Sequence, residues 1–364
     1  MKVIVSGGGT GGHVYPAIAV ADALCAMNPE TEILFVGALG KMEMEKVPLA
    51  GYPIEGLNIR GLQRRLTAAN LSFPIRLIES LVRARSIIRD FKPDVVAGFG
   101  GYASGPTVYV ASGMGIPTLL QEQNSYPGIT NKLLAKRSKT ICVAYPGMER
   151  FFPKEKLHFT GNPVRKDLQS LDGRREEALA HFGLDPQKRT LLIFGGSLGA
   201  RTLNEAMRES HGLLKERNDI QVLWQMGKLY AEQYSVSETA GLDNVRPLQF
   251  IDRMDLAYAL ADLVICRAGA LTISELCLAK RPAILVPSPN VAEDHQTRNA
   301  ESLVNKSAAV LVPDAEAVPG ALLRAMDLID DVDSMKRLSE SIGELGMPNA
   351  SDIIASEIVK LVRG

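Results

Sequence analysis

Two glycine-rich turns carry most of the chemistry this sequence can do. The first, Gly7-Gly8-Gly9-Thr10-Gly11-Gly12, follows a short apolar run and precedes a helical pattern. Its backbone N–H groups and the helix N-terminus behind it suit an anion, phosphate above all. His13 comes directly after it. An imidazole there either closes the turn or takes a proton from a hydroxyl nucleophile, and spacing leaves both open. The second turn, Gly195-Gly196-Ser197-Leu198-Gly199-Ala200, offers amides and the Ser197 hydroxyl to phosphate in the same way. Further on, Arg267-Ala268-Gly269-Ala270-Leu271-Thr272-Ile273-Ser274-Glu275 follows an apolar run, and a helix is expected from Thr272. Glu275 would then lie in the first helical turn, where it either answers the helix dipole or accepts two hydrogen bonds from adjacent ribose hydroxyls. Gln296 and Asn299, three apart on one helical face, could read sugar hydroxyls.

Other chemistries fit poorly. The first turn formally satisfies the dinucleotide pattern, but that site also wants an acid at the end of the second strand. Here that strand ends Phe35-Val36-Gly37-Ala38, while Glu30 and Glu32 precede it. A NAD-dependent oxidoreductase is therefore disfavoured. The four cysteines at 25, 142, 266 and 277 are scattered, which indicates reduced thiols in a cytosolic protein and no zinc site. Asp331-Val332-Asp333 sits in an acidic turn and reads as helix capping. No metal ligand set and no cofactor is expected.

The elements that must position these residues belong to two domains. The chain has 364 residues, 46% of them hydrophobic, enough for two ordinary cores. Val-, Ile- and Leu-rich runs alternate with longer amphipathic stretches, the pattern of parallel sheets covered by helices. Strands are expected over 2–6, 32–36, 53–57, 94–97, 118–121 and 140–143, then over 190–194, 220–225, 245–249, 262–266, 283–286 and 309–312. The two turns head similar units, strand then turn then helix, so each half opens as a Rossmann-like domain. The boundary is expected near Thr160-Gly161-Asn162-Pro163-Val164, and ligands at the carboxyl ends of the strands, in a cleft between the two sheets.

Basic and acidic residues both total 41, which argues against a nucleic-acid-coating protein. Residues 1–163 nevertheless carry 18 basic against 12 acidic side chains, so this half is the one suited to an anionic partner. The uncharged stretch 95–120 contains six glycines and two prolines, which a lipid-exposed helix would tolerate poorly, and no segment is expected to span a membrane.

Taken together, these motifs resemble the MurG family, the inverting transferases that add N-acetylglucosamine to the lipid-linked muramyl-peptide precursor of bacterial peptidoglycan. The likeness runs end to end. It is carried by the first turn with His13-Val14-Tyr15-Pro16, Gly98-Phe99-Gly100-Gly101-Tyr102-Ala103-Ser104-Gly105-Pro106, Glu122-Gln123-Asn124, Pro127-Gly128, Gly161-Asn162-Pro163-Val164-Arg165, the second turn, Arg267 to Glu275, and Asp294-His295-Gln296. Tyr15 stands where the family usually has Phe, and Leu198 where it commonly has Gln.

The resemblance implies an α/β GT-B fold of two Rossmann-like domains. Residues 1–163 would meet the acceptor and the membrane, 164–345 would bind UDP-N-acetylglucosamine, and 346–364 would form a helix crossing back, capped by Ser351 with Ile353, Ile354, Ile358, Leu361 and Val362 as its apolar face. It assigns uracil to the backbone at Ile251, phosphate to Ser197, ribose to Glu275 and sugar hydroxyls to Gln296. Ala270, Leu271, Thr272, Ile273 and Ser274 would line the same pocket. Asn124 and Arg165 would reach the donor, with Thr10, Gly11 and Gly12 beside it. Gly9, Thr10, Gly11, Gly101 and Tyr102 would face the acceptor. His13 is the first choice for the base that activates the acceptor's 4-hydroxyl, with Glu122 and Tyr102 as alternatives, and no obligatory metal is implied. A related GT-B enzyme such as a UDP-N-acetylglucosamine 2-epimerase is the competing reading.

The resemblance also implies that a lipid-linked acceptor would be met at a bilayer surface, on the cytoplasmic face, by a peripheral enzyme. The stretch 71–90 reads as a helix whose stripe Phe73, Leu77, Leu81, Ala84 and Ile88 faces the core. Ile75, Ile78 and Val82 form a second stripe bordered by Arg85 and Arg89, with Arg76 and Arg83 on the remaining flank. Apolar residues beside arginines suit anionic headgroups.

Overall fold

Runs such as Val3-Ile4-Val5 and Leu191-Leu192-Ile193 are apolar at consecutive positions, which suits strands covered on both faces, and all six side chains are fully buried. The computed structural model describes residues 1–61 and 73–363. It divides the chain into two units, Met1–Val164 with Asn349–Gly364, and Arg165–Pro348.

The strands of unit 1 are β1 (Lys2–Ser6), β2 (Glu32–Ala38), β3 (Ile54–Leu57), β4 (Val95–Gly98), β5 (Thr118–Glu122), β6 (Thr140–Val143) and β7 (Leu157–Phe159). They form one parallel sheet in the order β3-β2-β1-β4-β5-β6-β7. Unit 2 repeats the plan with β8 (Arg189–Phe194), β9 (Ile220–Gln225), β10 (Val245–Leu248), β11 (Leu263–Cys266), β12 (Ala283–Leu285) and β13 (Val310–Leu311). Their order is β10-β9-β8-β11-β12-β13, again parallel. The order reverses between β1 and β4 in one sheet and between β8 and β11 in the other. Parallel sheets open a crevice at the carboxyl ends of such strands, and all three glycine-bearing motifs lie there.

The helices that bear on the site in unit 1 are α1 (Gly11–Met27), α2 (Glu43–Leu49), α3 (Phe73–Phe91), α4 (Ser104–Gly113) and α5 (Ile129–Leu134). In unit 2 they are α6 (Arg201–Glu209), α7 (Met254–Leu260), α8 (Ala270–Ala279) and α9 (His295–Val304), and the chain returns to unit 1 as α10 (Ala350–Arg363). On one face of sheet 1, α1 contributes Val14, Ala17, Val20, Ala21 and Leu24 to a core shared with Ile354, Ala355 and Ile358 of α10. Each such aliphatic side chain taken out of water contributes about 1.5–3 kcal/mol. On the other face, α3 and α4 bury Ala84, Ile87, Ile88, Val108 and Ala111.

The expected strands form within a residue or two of their ends, the usual uncertainty of such boundaries. β7 was not expected, because its three residues are partly or fully exposed at the sheet edge and show no apolar run. Two expectations for α10 need correction. Ser351 lies inside the helix, whose first turn closes with the Ile353 N–H donating to the Asn349 carbonyl, and Ile353 is exposed. In α3 the core stripe is fully buried only at Ala84 and Ile88, joined by Ser80 and Ile87, while Phe73, Leu77 and Leu81 are half-buried. Residue Leu71, where that helix was expected to begin, lies outside the described residues.

Candidate active site

In unit 1 the register pairs Ser6 with Gly98, so the turn after β1 and the turn after β4 run side by side. They touch through backbone. A Cβ on Gly101 (φ +83°) would lie 2.1 Å from the Gly8 carbonyl oxygen, and one on Gly100 (φ +87°) would lie 3.0 Å from His13 Nε2. Only glycine permits this approach. His13 is the third residue of α1, and its Nδ1 sits 2.9 Å from the Gly8 carbonyl and 3.2 Å from Thr10 Oγ1. A carbonyl accepts only, so Nδ1 carries the proton in this arrangement and Nε2 keeps its lone pair. The half-exposed imidazole therefore has the tautomer a general base needs.

The anion reading of the first turn changes in detail. The Gly9 N–H donates to Glu43 Oε2 at 2.9 Å, and Ala38 N–H donates to Glu43 Oε1 at 3.0 Å. Glu43 is fully buried, so the turn holds a carboxylate on one side and one of its amides is already committed. Thr10, Gly11 and Gly12 lie at the start of α1, with the Tyr15 ring against Gly11. Tyr102 is exposed, its ring over the backbone of Gly61.

Glu122 ends β5 and is buried. Oε1 accepts from the Asn124 N–H at 3.0 Å and side-chain amide at 3.2 Å; Oε2 accepts from the Gly128 N–H at 3.1 Å and Asn131 at 2.8 Å. Burial raises its pKa, and these four donors oppose the rise. Saturated in this way, Glu122 holds the loop 123–128 in place. Asn124 is brought to this loop by the same bonds.

In unit 2 the turn at 195–200 closes on the turn after β9. Gly199 (φ +88°) and Gly227 (φ +86°) meet with a virtual Cβ on Gly199 only 2.1 Å from the Met226 carbonyl oxygen. Lys228 and Leu229 N–H groups donate to the Ser197 and Leu198 carbonyls, both at 3.2 Å. Gln225 ties this turn to a third loop. Its Nε2 donates to the Gly196 carbonyl and its Oε1 accepts the Ile251 N–H, each at 2.9 Å. Ile251 is buried, with its N–H taken by this bond.

A cavity of about 500 Å³ opens here, lined by Gly196, Gly199, Arg201, Arg267, Thr272 and Gln296 among others. Its volume falls in the usual range for small-molecule sites. The N-termini of α6 and α8 stand at this crevice, where developing or resident negative charge is favoured. Arg267 donates to the Val286 and Pro287 carbonyls at 3.0 and 3.2 Å and pairs with Asp314, which also accepts from Thr202. Gln296 accepts the Ser288 N–H through Oε1 at 2.9 Å, leaving its amide NH2 as the donor end.

The third motif is corrected in two respects. α8 begins at Ala270, so Glu275 lies in its second turn and the dipole explanation for an acid there falls away. Ile273 turns into the core and cannot line a pocket with its side chain. Thr272 does line the cavity, Ala270 and Leu271 lie in the first turn, and the Ser274 hydroxyl donates back to the Ala270 carbonyl. Glu275 is mostly buried; Tyr258 of α7 donates to its Oε2 at 3.0 Å, and Arg165 Nε stands 4.0 Å from Oε1. Burial raises its pKa, while Arg165 and the Tyr258 hydroxyl pull the other way. Ser197 is exposed at the tip of its turn.

Sequence reasoning missed Glu43, Gln225 and the cavity-lining Thr202, Ser288, Asn290 and Asp314. Gln225 ends a strand read correctly, so its position at a carboxyl end was the available signal. Glu43 had none, for it belongs to a different helix some thirty residues beyond the turn it serves.

The profile of the glycosyltransferase family 28 N-terminal domain matches residues 3–143, and that of the family 28 C-terminal domain matches residues 190–343. A UDP-N-acetylglucosamine–N-acetylmuramyl-(pentapeptide) pyrophosphoryl-undecaprenol N-acetylglucosamine transferase from Flavobacterium psychrophilum is 54% identical over 99% of this chain and 98% of its own. The crystal structure of Acinetobacter baumannii MurG superposes with a TM-score of 0.78 at 31% identity, covering 99% of both chains. A UDP-GlcNAc 2-epimerase from Neisseria meningitidis shares the fold at TM-score 0.70 but only 16% identity, over 99% of this chain and all of that one. Two parallel-sheet units, each with its glycine turn at the strand-order reversal, and this end-to-end identity place the chain in the MurG family of glycosyltransferases.

Proposed function

We propose that the chain transfers N-acetylglucosamine from UDP-N-acetylglucosamine to the 4-hydroxyl of the lipid-linked N-acetylmuramyl-pentapeptide, a step of peptidoglycan synthesis. The observation that carries this reading is the likeness, at 54% identity along the whole chain, to a transferase named for that donor and acceptor. The likeness to a 2-epimerase is one of fold alone.

The chemistry follows from the two sites. UDP-N-acetylglucosamine occupies the cavity of unit 2, its diphosphate against the turn at 195–200 and the start of α8. Ile251 meets the uracil, Glu275 the ribose and Gln296 the sugar. In unit 1, His13 Nε2 accepts the proton of the acceptor 4-hydroxyl as its oxygen bonds to the anomeric carbon. The bond from that carbon to the diphosphate oxygen breaks on the opposite face, and its electron pair leaves with UDP. The configuration inverts to a β-1,4 link. Helix N-termini and Arg267 offset the charge gained by UDP, and the proton on His13 returns to water.

The acceptor's lipid calls for a membrane surface. Ile75, Ile78 and Val82 of α3 are 63%, 62% and 66% exposed, with Arg85 and Arg89 exposed beside them. Arg83 instead pairs with Glu55 at 2.7 Å. α3 packs on α4 and α4 on α5, which add exposed Tyr109, Met114, Ile129 and Leu133. Arg137 lies 4.4 Å over the Tyr109 ring. Among the described residues no helix is long and apolar enough to cross a membrane. This mixed apolar and basic surface supports peripheral attachment, on the side of the membrane that holds the nucleotide sugar, which we take to be the cytoplasmic face.

Labelled N-acetylglucosamine should pass from UDP to a lipid-linked muramyl acceptor, with and without chelator. Epimerised or free sugar with no transfer would overturn the reading. Ile75→Ser with Ile78→Ser should reduce sedimentation with anionic vesicles and leave donor binding and the melting temperature unchanged. Retained vesicle binding would move the membrane face elsewhere.

A further inference from the structure

The peptide joining Gly8 to Gly9 is held at both ends. Its N–H donates to Glu43 Oε2 and its carbonyl accepts from His13 Nδ1, each at 2.9 Å. Glu43 is 0% exposed, its other oxygen takes the Ala38 N–H, and no ion pair reaches it among the described residues. Space for it is built in. A Cβ on Gly8 would lie 2.0 Å from Glu43 Oε1, and one on Gly37 would lie 2.6 Å from Glu43 Cγ. A buried carboxylate without a cation costs several kcal/mol. Such a group is kept for what it does to its neighbours.

We infer that Glu43 is a positioning residue for His13, acting through the Gly8–Gly9 peptide as the carboxylate of a relayed Glu–His pair. Amide resonance couples the two ends of a peptide. A charge-assisted bond at the N–H shifts electron density to the carbonyl oxygen and strengthens the bond that oxygen accepts. Glu43 thereby locks the Nδ1–H tautomer and stabilises the imidazolium that forms when Nε2 takes the acceptor's proton. No proton leaves Nδ1. Among the described residues, titratable side chains near this turn include Tyr15 on the same helix as His13, Glu43 and Lys46 on α2, and Tyr102 after β4. The inference rests on His13 being the base.

The test uses the full chain and nitrogen-15 resonances of its histidines, with His13 assigned by the signal lost in His13→Ala. Wild-type His13 should be the Nδ1–H tautomer when neutral. In Glu43→Gln its pKa should fall by about 0.5–1, and kcat by about 10- to 100-fold, as when an outer hydrogen-bond partner of a functional histidine is lost. The acid limb of the kcat profile should move with the pKa, and the Kd for UDP should hold. An Nε2–H tautomer in the wild type overturns the inference and needs no variant to fold. So does a folded Glu43→Gln that loses kcat with His13 titrating as before, since that is a structural effect only. Wild-type transfer by His13→Ala would instead overturn the base reading, leaving the resonances to report the relay on their own.

Discussion

The two glycine turns grow from the same unit, a buried strand, a tight turn and a helix, yet they are put to opposite uses. The turn at 7–12 is filled by the protein itself: Glu43 takes the Gly9 amide, and His13 takes the Gly8 carbonyl. The turn at 195–200 borders an open cavity of about 500 Å³, and its bonds to Gln225, Lys228 and Leu229 go through carbonyls. One turn positions the His13 imidazole; the other leaves room for a ligand. The glycines alone do not decide this. What decides it is whether a neighbouring element delivers a carboxylate or a wall.

The sharpest way to break the contrast is His13→Ala. Turnover should fall by about 10²–10⁴-fold, the usual worth of a general base, while calorimetry finds UDP binding unchanged. A parallel loss of UDP affinity would mean that the first turn also holds the donor. Next come paired glycine replacements. A Cβ is strained by positive φ and by contacts near 2.1 Å at both Gly101 and Gly199, each worth about 1–3 kcal/mol. Gly101→Ala should lower kcat by disturbing the Gly8 carbonyl, and Gly199→Ala should raise the Kd for UDP. The reverse pattern would dissolve the distinction between the turns.

Glu275→Gln sharpens the role of unit 2, which carries the second turn. Losing the carboxylate should weaken UDP by about 10- to 100-fold, the range for a hydrogen bond to a charged group, with kcat at saturating donor little altered. Its pH signature has a definite sign. Burial raises the pKa of Glu275 in the folded state, so the folded protein holds that proton more tightly than the unfolded chain. Stability from this group is present below the ordinary carboxylate value and is lost as pH rises through the raised one. Glu275→Gln removes that loss, and its melting temperature relative to wild type should climb from acid to neutral pH. A flat difference would mean that Arg165 compensates the charge fully. The smallest effect is expected at Leu198, which is 57% exposed. Leu198→Gln should change stability by no more than about 0.5 kcal/mol and leave UDP affinity within a few-fold.

Consecutive apolar runs made the strands readable, because a parallel sheet buried on both faces demands them. The sheet edge at Leu157–Phe159 makes no such demand and was invisible. Positions at the carboxyl ends of strands were likewise readable: His13, the turn at 195–200, Thr272 and Gln296 all stand where ligands of such sheets bind. What spacing could not show was direction and partnership. Glu275 was placed correctly along the chain but one turn too early in its helix, and Ile273 was put in a pocket though it faces the core. Glu122 carries the right chemistry for a base, yet four N–H donors, all local in sequence, saturate it. Glu43 reaches its turn only through the folding of β2 and α2 around it, and no periodicity records that.

The helix Ala350–Arg363 belongs to unit 1 although all of unit 2 precedes it in the chain. During synthesis, residues 1–164 leave the ribosome with the apolar side of α1 still uncovered, and the segment that covers it emerges about two hundred residues later. At roughly 5–20 residues per second, that is a delay of about ten to forty seconds. The helix carrying His13 thus gains its final support only after unit 2 has been made. Nucleotide-sugar affinity should arise first on the nascent chain and transfer competence last.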